Sequence, residues 1–397
     1  MTSEPKGLPR IPRDKDDDYG EAAVEARRAV LRDACGAELT HVAAGSVPAS
    51  KARGKVENFV GHAQVPIGVA GPLVFESDEG PVEVYVPMAT TEGAMVASYS
   101  RGMRLAASGA GIRTCVLHDG LSQHPMLVFA DAAGACAAAR VCEAALDDCR
   151  AITKSVTTHG ALGSIATQVI GRRLILRFVF ATGDAIGINM ASRATDLCLA
   201  ELAKRTGALE RHVHGQDVEK RANARAFVEG RGRSVVADCV VPRAALAELA
   251  RTTPEQLVAI QRSYTTGFAQ LGTQNWLVQA ANGLASVFLS CGQDLAYLTE
   301  SATGMLDLET NKDGDLYVAV TLPSLLIGTV GGGSGQGTAR ECLNLMGCAG
   351  AGKVRRFAQI LAATVLAGDL SLMAAFTANE FTEAHERLGR NRPDAGA

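Results

Sequence analysis

The sequence predicts an α+β fold in which a compact α+β unit is inserted into a larger domain. Val82, Val84 and Val86 alternate with other residues, which predicts a strand that leads into a helical segment. Residues 126–204 carry patterns for strand, helix, strand and helix, which suffice for a separate compact unit. The apolar pattern over residues 355–386 predicts a long helix.

Length, composition and charge are those of a soluble globular protein. The chain has 397 residues, of which 47% are hydrophobic, and a formal net charge of −3, which does not favour nucleic-acid binding. Its ten cysteines include no CxxC pair and no metal-ligand spacing with histidine, and no signal peptide is recognised. We therefore expect reduced, mostly buried thiols in a cytoplasmic protein, and no bound metal.

The most apolar run, residues 358–376, is long enough to raise the question of a membrane span. Asp369 interrupts this run, and Thr, Gly and Ser are mixed with its apolar residues. A buried helix is therefore predicted instead of a span. The helix as a whole, 355–386, carries His385 near its end, and Gly368 marks a candidate break.

The N-terminal region, residues 1–56, is predicted to be an arm followed by a helical leader. Residues 1–18 are polar and contain prolines, as is typical of an extended or draped arm. Residues 20–34 have an apolar side, and Gly36 suits a left-handed helix cap. Residues 57–73 are rich in Gly and Pro and predict strand and turn.

A carboxylate that can take part in chemistry follows the predicted strand of alternating valines. Thr90 or Thr91 is expected to cap the next helix, which puts Glu92 in its first turn, near the positive end of the helix dipole. A glutamate that only caps the helix is the structural alternative.

The same predicted helix has an apolar stripe and a basic face. Met95, Tyr99 and Met103 recur every four residues and predict burial against a core. Arg101 and Arg104 share another face, where two guanidinium groups suit a pyrophosphate or a phosphorylated ribose. A solvated basic edge is the alternative interpretation.

The inserted unit is predicted to contain strands at 126–130 and 173–181 and helices at 132–149 and 186–204. Turn residues near 119–120 and 214–217 mark its expected boundaries. Beyond it, helical patterns extend from about residue 255 to 291, and the chain then reaches a predicted strand at 315–322 and a glycine-rich segment at 328–337.

Motifs for nucleotide binding are incomplete. No GxGxxG occurs in the chain, which disfavours an ordinary Rossmann site. Residues 347–353 resemble a phosphate-binding loop, but Val354 stands where a Ser or Thr would bind magnesium, and the preceding residues have a helical pattern. A nucleotide triphosphatase is therefore disfavoured.

Six motifs in order resemble the hydroxymethylglutaryl-CoA reductase family. They are Glu57-Asn58 with Pro66-Ile-Gly-Val-Ala-Gly-Pro-Leu73, Met88-Ala-Thr-Thr-Glu-Gly93, Gly183-Asp-Ala-Ile-Gly-Ile-Asn-Met190, Glu229-Gly-Arg-Gly232, Gly292-Gln-Asp294 and Gly328-Thr-Val-Gly-Gly-Gly333. The resemblance covers residues 57–390 and is to the class I form, without the eukaryotic membrane anchor. It implies NADPH-dependent reduction of 3-hydroxy-3-methylglutaryl-CoA to mevalonate and CoA, with NADH as a possible alternative cofactor.

The resemblance implies four catalytic residues. Glu92 would be the acid, Lys220 the cation that stabilises the oxyanion, Asp294 the linking carboxylate, and His385 the acid for the CoA thiolate. Asp294 would lie close to Glu92 and raise the apparent pKa of the pair. Each residue alone has an ordinary structural explanation, such as a surface lysine or a helix cap.

The resemblance also implies binding residues. Those along the dinucleotide are Thr157, Thr158, Asp184, Ala185, Ile186, Gly187, Ile188, Asn189 and Met190. Those along the acyl-CoA are Ser98, Arg101, Arg104, Glu219, Arg221, Arg262 and Asn282, with Asn282 supporting Lys220.

For the architecture, the resemblance implies a large domain around a long central helix, formed by residues 57–120 and 213–397. Residues 121–212 would be an inserted, ferredoxin-like NADP(H)-binding domain. A homodimer or higher homo-oligomer would form the active sites at its interface, acting on a small-molecule acyl-CoA with no nucleic-acid or membrane partner.

Several residues depart from the family pattern, mostly in the acyl pocket. The usual Asp-Lys-Lys-Pro is Glu219-Lys-Arg-Ala222, and no Ser-Gly-Asn segment is recognised in residues 211–215. Gln123, Arg262 and Gln279 replace an arginine, a lysine and a histidine that are common in the family. A reductase of a different acyl-CoA, or a non-catalytic CoA-binding homologue, therefore remains as an alternative.

The cofactor preference is also open. Family members that use NADPH tend to carry an arginine in the segment that aligns with residues 157–159, and none is present here. Lys154, His159, Arg172 or Arg173 are the candidate substitutes, so only a shallow preference for NADPH is expected.

Overall fold

The computed structural model describes residues 8–378 and confirms the α+β class. The strands in this range are β1 (Ile67–Ser77), β2 (Gly80–Ala89), β3 (Ile112–Gln123), β4 (Met126–Val128), β5 (Ala161–Ile170), β6 (Arg173–Ala181), β7 (Glu210–His212), β8 (Gly232–Val241), β9 (Met305–Thr310) and β10 (Leu316–Leu325).

The helices of the same range vary from one turn to more than six turns. They are α1 (Glu21–Cys35), α2 (Thr40–Ala43), α3 (Met95–Ala106), α4 (Ala132–Ala144), α5 (Leu146–Val156), α6 (Ile188–Thr206), α7 (Ala224–Glu229), α8 (Arg243–Ala250), α9 (Pro254–Leu271), α10 (Ala280–Ser290), α11 (Leu298–Ser301), α12 (Gly337–Leu345) and α13 (Val354–Thr377).

Strand β3 joins two groups of strands into one continuous sheet. The order along the sheet is β7-β4-β6-β3-β8-β10-β9, with β1 and β2 attached beside β3 and β5 attached to β6. Residues 113–120 of β3 pair with β8, whereas residues 121–123 pair with β6. All pairings are antiparallel except that of β1 with β3.

Helix α13 lies in the centre of the larger hydrophobic core. Nearly all of its residues from Val354 to Ala375 are buried, among side chains of β1, β2, β8, β10, α3 and α10. This helix is long and apolar enough to span a membrane by length and composition, but most of it is covered by protein. The predicted buried helix is therefore confirmed.

A second hydrophobic core lies between β4, β5 and β6 and the helices α4, α5 and α6. Phe178 and Phe180 are fully buried there and meet edge to face, with ring centroids 6.3 Å apart. All ten cysteines are free thiols, and seven are buried in these cores, as composition predicted.

Three expectations about the elements were wrong. The Asp119-Gly120 pair is not a turn, because β3 runs through it. The predicted helix at 132–149 is two helices separated at Ala145, whose φ and ψ of −86° and 14° interrupt the helical geometry. Helix α13 is not broken at Gly368, since it is continuous over its described length.

Candidate active site

Glu92 does not lie in the first turn of a helix, contrary to the sequence-based expectation. Helix α3 begins only at Met95, and Ala94 before it has a left-handed φ of 66°. The threonine hydroxyl still organises the segment, because the Glu92 N–H donates to Thr90 Oγ1 at 2.9 Å. This turn places Glu92 ahead of α3 as an exposed side chain. The local hydrogen bond thus forms a turn instead of a helix cap.

The predicted stripe of α3 is buried, and its basic face contacts α13. Met95, Tyr99 and Met103 are at most 3% exposed. Arg101 donates to the hydroxyl and carbonyl oxygens of Ser371 at 3.0 and 2.8 Å, and the Ser98 and Ser371 hydroxyls lie 3.0 Å apart.

The basic face combines Arg101, which is hydrogen-bonded to Ser371, with the exposed Arg104. Burial lowers the pKa of Arg101, and the neighbouring Arg104 charge lowers it further. Arg104 is exposed. The two guanidinium groups are therefore close together, in a position suited to phosphate oxygens.

Two glycines allow α3, α10 and α13 to approach closely around Tyr99. A Cβ atom at Gly283 or Gly368 would lie 2.3 Å from an atom of the Tyr99 side chain. The Tyr99 hydroxyl donates to the Gln279 carbonyl at 2.7 Å. Gly368 therefore serves packing in an unbroken helix.

Asp369, next to Gly368, is fully buried and holds the segment ahead of α10. Its two carboxylate oxygens accept the N–H groups of Val278 and Gln279 at 3.0 and 2.8 Å. Burial raises the pKa of this carboxyl to about 7, against the effect of the two amide donors.

Lys220 and Asp294 meet, although they are far apart in sequence. Lys220 Nζ lies 3.3 Å from Asp294 Oδ2, and it stands over the Tyr297 ring at 5.0 Å from the centroid. The two side chains are 44% and 46% exposed, so the ion pair is accessible to solvent. Within residues 8–378, no hydrogen bond or ion pair joins Glu92 to either of them.

The neighbouring Glu219 lies in a polar network that includes two of the family departures. Gln123 Nε2 donates to Glu219 Oε1 at 3.0 Å, and the Tyr297 hydroxyl donates to Oε2 at 3.5 Å. Arg231 Nη2 lies 3.5 Å from Glu219 Oε1. Arg221 points elsewhere, because it pairs with Asp217 at 2.9 Å.

A buried ion pair lies beneath this network. Arg231 Nη1 is 2.8 Å from both carboxylate oxygens of Glu300, and each residue is 1% exposed. Burial raises the pKa of Glu300, while the Arg231 charge opposes this rise. The Lys220 N–H donates to Glu300 Oε1 at 2.6 Å, which joins the pair to the predicted catalytic lysine.

Two predicted substrate residues are exposed and show no described contact with Lys220. Arg262 is an exposed residue of α9, and Asn282 is an exposed residue in the first turn of α10. Among residues 8–378, Lys220 contacts Asp294, Tyr297 and Glu300. The expected support of Lys220 by Asn282 is not seen.

The predicted dinucleotide segment, residues 184–190, is a loop followed by the first turn of α6. Gly187 has a left-handed φ of 85°, and no side chain within the described residues caps the helix. Asn189 is exposed in the first turn. The N–H groups of this turn are therefore suited to an anionic group.

The loop before α6 is fastened from both sides. Buried Arg233 donates to the carbonyls of Gly183 and Ile327, the latter at 2.8 Å. The Asp184 carboxylate accepts the N–H groups of Gly352, Lys353 and Val354 at 2.8, 3.0 and 3.1 Å. These N–H groups lie in or next to residues 347–353, the segment that resembles a phosphate-binding loop. The Asp184 carboxylate therefore occupies the donors that a phosphate would use there.

The segment carrying Thr157 and Thr158 follows α5, and its geometry excludes two of the candidate cations. The His159 N–H donates to Thr157 Oγ1 at 3.0 Å. Strand β5 begins directly after this segment, and its far end pairs Ile170 with Arg173. Arg172 and Arg173 therefore lie about 30 Å away along the strand, so the suggestion that they reach this segment was wrong.

His385 lies outside the described residues, so its place relative to Lys220 and Asp294 stays a prediction. Sequence reasoning assigned no role to Ser371, Tyr297, Glu300 and Arg233, which contact predicted residues. Tyr297 and Glu300 follow Asp294 by three and six residues, a helical spacing that was available as a signal.

Comparison with known proteins gives matches over most of the chain. Residues 23–390 match the model of the family described as hydroxymethylglutaryl-coenzyme A reductase. The 3-hydroxy-3-methylglutaryl-coenzyme A reductase of Pyrococcus horikoshii is 38% identical over 382 residues, covering 93% of this chain and 92% of the relative. That of Methanothermobacter thermautotrophicus is 37% identical, covering 93% and 94%.

Solved structures share the fold at lower identity. A 3-hydroxy-3-methylglutaryl-coenzyme A reductase of Streptococcus pneumoniae has a TM-score of 0.68 and 17% identity, covering 82% of this chain and 88% of that chain. A class II form from the same organism, bound to NADPH, has a TM-score of 0.66 and covers 82% and 89%. By the sequence matches over nearly its whole length, this chain belongs to the hydroxymethylglutaryl-coenzyme A reductase family.

Proposed function

We propose that the protein reduces 3-hydroxy-3-methylglutaryl-CoA to mevalonate and CoA with NADPH. The observation that carries this proposal is the pairing of Lys220 with Asp294 at 3.3 Å in a chain whose residues 23–390 match the reductase family. A cation beside a carboxylate is the arrangement needed at a carbonyl that becomes an oxyanion and is then protonated.

The chemistry assigns distinct work to the catalytic side chains. Conversion of a thioester to an alcohol takes two hydrides, which NADPH supplies. Lys220 stabilises the negative charge that each hydride leaves on oxygen, and Asp294 holds the ammonium in place. Glu92 carries a proton to that oxygen, and His385 protonates the departing thiolate, whose conjugate thiol has a pKa of about 8.5.

The loop and first turn at residues 184–190, with Thr157 and Thr158, are proposed to bind the dinucleotide. The uncapped N-terminus of α6 supports this assignment, since its N–H groups and dipole favour a phosphate. Asn189 is exposed at that turn. The NADPH bound to one of the Streptococcus pneumoniae reductases agrees with this choice of cofactor.

Arg101 and Arg104 are proposed to bind phosphate groups of CoA, with Ser98 beside them. Ser371 holds the Arg101 guanidinium through two hydrogen bonds, which reduces the entropy that the side chain would lose on binding. The exposed Arg104 completes a positive edge on α3. Glu219, Arg221, Arg262 and Asn282 are assigned to the acyl side of the substrate.

We further propose that residues 121–212 form the inserted ferredoxin-like domain for the dinucleotide and that residues 57–120 and 213–397 form the large domain. The second hydrophobic core supports this division. The protein is proposed to be a cytoplasmic, class I-like enzyme that assembles at least as a dimer, with its active sites at the interface and no membrane or nucleic-acid partner.

A reductase of a different acyl-CoA is the second candidate function. The network of Glu219 with Gln123 favours it, because this network puts a carboxylate and an amide where the family commonly has an arginine nearby. The acid group of a glutaryl chain gains less from such surroundings. A non-catalytic CoA-binding homologue is disfavoured by the Lys220 and Asp294 pair.

Dinucleotide oxidation by the purified full chain tests the proposal. The substrates are 3-hydroxy-3-methylglutaryl-CoA, the same acyl group without CoA, and acyl-CoA thioesters that lack the distal carboxylate. CoA-dependent oxidation with the first substrate supports the proposal. Oxidation only with another thioester would favour the second candidate, and no oxidation with NADPH or NADH would exclude both reductase functions.

A further inference from the structure

The backbone of Lys220 has a conformation that needs an external support. Its φ is 57°, in the left-handed region that side chains other than glycine rarely adopt. The residue lies between α6 and α7 in a turn that has no strand pairing of its own. Such conformations persist where the surroundings fix them, and they occur often at functional sites.

The support comes from Glu300 in α11. Its Oε1 accepts the Lys220 N–H at 2.6 Å, and both of its oxygens lie 2.8 Å from Arg231 Nη1. Arg231 is fixed in turn, because its Nε donates to the Ser122 carbonyl at 3.1 Å. Both charged residues are 1% exposed, so the acceptor for the Lys220 amide has a fixed position.

The same short segment that carries Glu300 also holds the other end of Lys220. Asp294 begins this segment, since its Oδ1 accepts the Ala296 N–H at 3.0 Å. Asp294 and Tyr297 contact the Lys220 ammonium, and Glu300 binds the Lys220 backbone. One segment of seven residues, 294–300, therefore sets both the backbone and the charged group of Lys220.

We propose that Glu300 is a positioning residue for Lys220, which it holds in the left-handed conformation that directs the ammonium to Asp294. Arg231 has the supporting task of keeping the Glu300 carboxylate charged and oriented. This inference rests on the proposed function for the catalytic role of Lys220. The placement of Lys220 by Glu300 can be measured without any substrate.

A pair of double variants isolates the hydrogen bond from the buried charge. Replacement of Glu300 alone would leave Arg231 buried without a partner, which is strongly destabilising. In Glu300→Met/Arg231→Met, both charges and the acceptor are lost. In Glu300→Gln/Arg231→Met, the charges are lost but the Gln oxygen still accepts the Lys220 N–H. The two proteins therefore differ in the acceptor for the Lys220 amide.

Acetylation by acetic anhydride, followed by mass spectrometry, reports on the ammonium directly. Release of Lys220 from Asp294 is expected to make Lys220 react at least 3-fold faster in Glu300→Met/Arg231→Met (the Met/Met variant) than in Glu300→Gln/Arg231→Met (the Gln/Met variant). The exposed Lys312 is the internal reference. Equal rates would overturn the proposal. Glu300→Asp, which keeps the charge and withdraws the acceptor, is expected to accelerate acetylation too, and an unchanged rate would again contradict the proposal.

A kinetic experiment compares the same two double variants, each with Lys220 intact and with the Lys220→Met substitution added. We expect kcat to be at least 10-fold lower in the Met/Met variant than in the Gln/Met variant, at similar dinucleotide affinity. In the Lys220→Met background this difference should vanish, because a residue that acts through Lys220 has nothing left to position. A difference that persists there would show a general structural role.

The two arms also separate this inference from the proposed function. If the wild-type protein reduces no acyl-CoA but the acetylation rates differ as expected, the proposed function is wrong and the positioning role stands. If reduction occurs and the acetylation rates are equal, the positioning role is wrong and the proposed function stands.

Discussion

Lys220 Nζ lies 3.3 Å from Asp294 Oδ2, although 74 residues separate the two in the sequence. Both side chains are nearly half exposed, so the pair lies in a surface accessible to a substrate. An exposed ion pair of this kind adds little to stability, typically below about 1 kcal/mol. Its presence is therefore better explained by chemistry than by folding.

Lys220→Met should nearly abolish turnover and leave folding intact. The change removes the cation at the oxyanion, and loss of one such donor costs roughly 3–4 kcal/mol, or about 100- to 1,000-fold in kcat. Steady-state kinetics and thermal unfolding measure the two effects. Lys312→Met, at an exposed turn, is the control. A Lys220→Met protein with more than about a tenth of the wild-type rate would show that another cation stabilises the oxyanion.

His385→Gln should block reduction of the thioester and spare reduction of added mevaldehyde. The thiolate leaves only in the first of these reactions, so only that reaction needs the imidazole proton. Parallel assays with the acyl-CoA and with mevaldehyde separate the two steps. An equal loss in both would mean that His385 is not the acid for the thiolate.

Stability in mild acid should depend on His124. Burial lowers the pKa of this imidazole to about 4, a hydrogen bond to Gln216 opposes the shift, and the charges of Arg225, Arg177 and Arg231 add to it. In the unfolded chain its pKa is about 6.5, so the folded state binds fewer protons between pH 6.5 and 4. The stabilisation is complete above pH 6.5 and is lost as the pH falls, by about 2 kcal/mol at pH 5.

Urea unfolding of wild type and His124→Gln at pH 7 and pH 5 measures this effect. The wild type should lose about 2 kcal/mol more than the variant between the two values. His212→Gln, at an exposed histidine, should behave like wild type. Equal losses for wild type and His124→Gln would show that His124 does not stay neutral in the folded protein.

Any preference for NADPH over NADH should be below about 100-fold in kcat/KM, because residues 157–159 themselves contain no arginine that could bind the 2′-phosphate through two hydrogen bonds. Lys154, in the last turn of α5, and His159 remain as candidate cations. Lys154→Ala should then lower the preference, with Lys204→Ala in α6 as the control. A preference above roughly 1,000-fold, or about 4 kcal/mol, would indicate an arginine that binds the 2′-phosphate.

Elements with a strong pattern could be predicted from the sequence. Strand β2 has its alternating valines buried, and α13 is the long apolar helix. Strand β3 was missed because alternation there does not separate polar from apolar residues: Leu117 is 61% exposed, and Asp119-Gly120 resembles a turn. Strand β8 was missed because buried Arg233 and Ser234 give it the composition of a loop.

The candidate site residues could be predicted from sequence motifs, whereas the residues that position them were identified only in the structure. Ser371 beside Arg101 and Glu300 beneath Lys220 are contacts over 270 and 80 residues of sequence, which no local pattern reveals. The position of Glu92 before α3 was also beyond sequence reasoning. Thr90 can form either a cap or a turn with its hydroxyl, and tertiary packing of α3 decides between them.

The stoichiometry of dinucleotide oxidised to CoA thiol released tests the central claim most directly. Dinucleotide absorbance and a thiol reagent report the two quantities in one reaction mixture with 3-hydroxy-3-methylglutaryl-CoA. Reduction of a thioester to an alcohol at one site predicts two dinucleotides oxidised for each thiol released. A ratio of one would mean that the reaction stops at the aldehyde, and thiol release without oxidation would mean hydrolysis of the thioester. Either result would contradict the account.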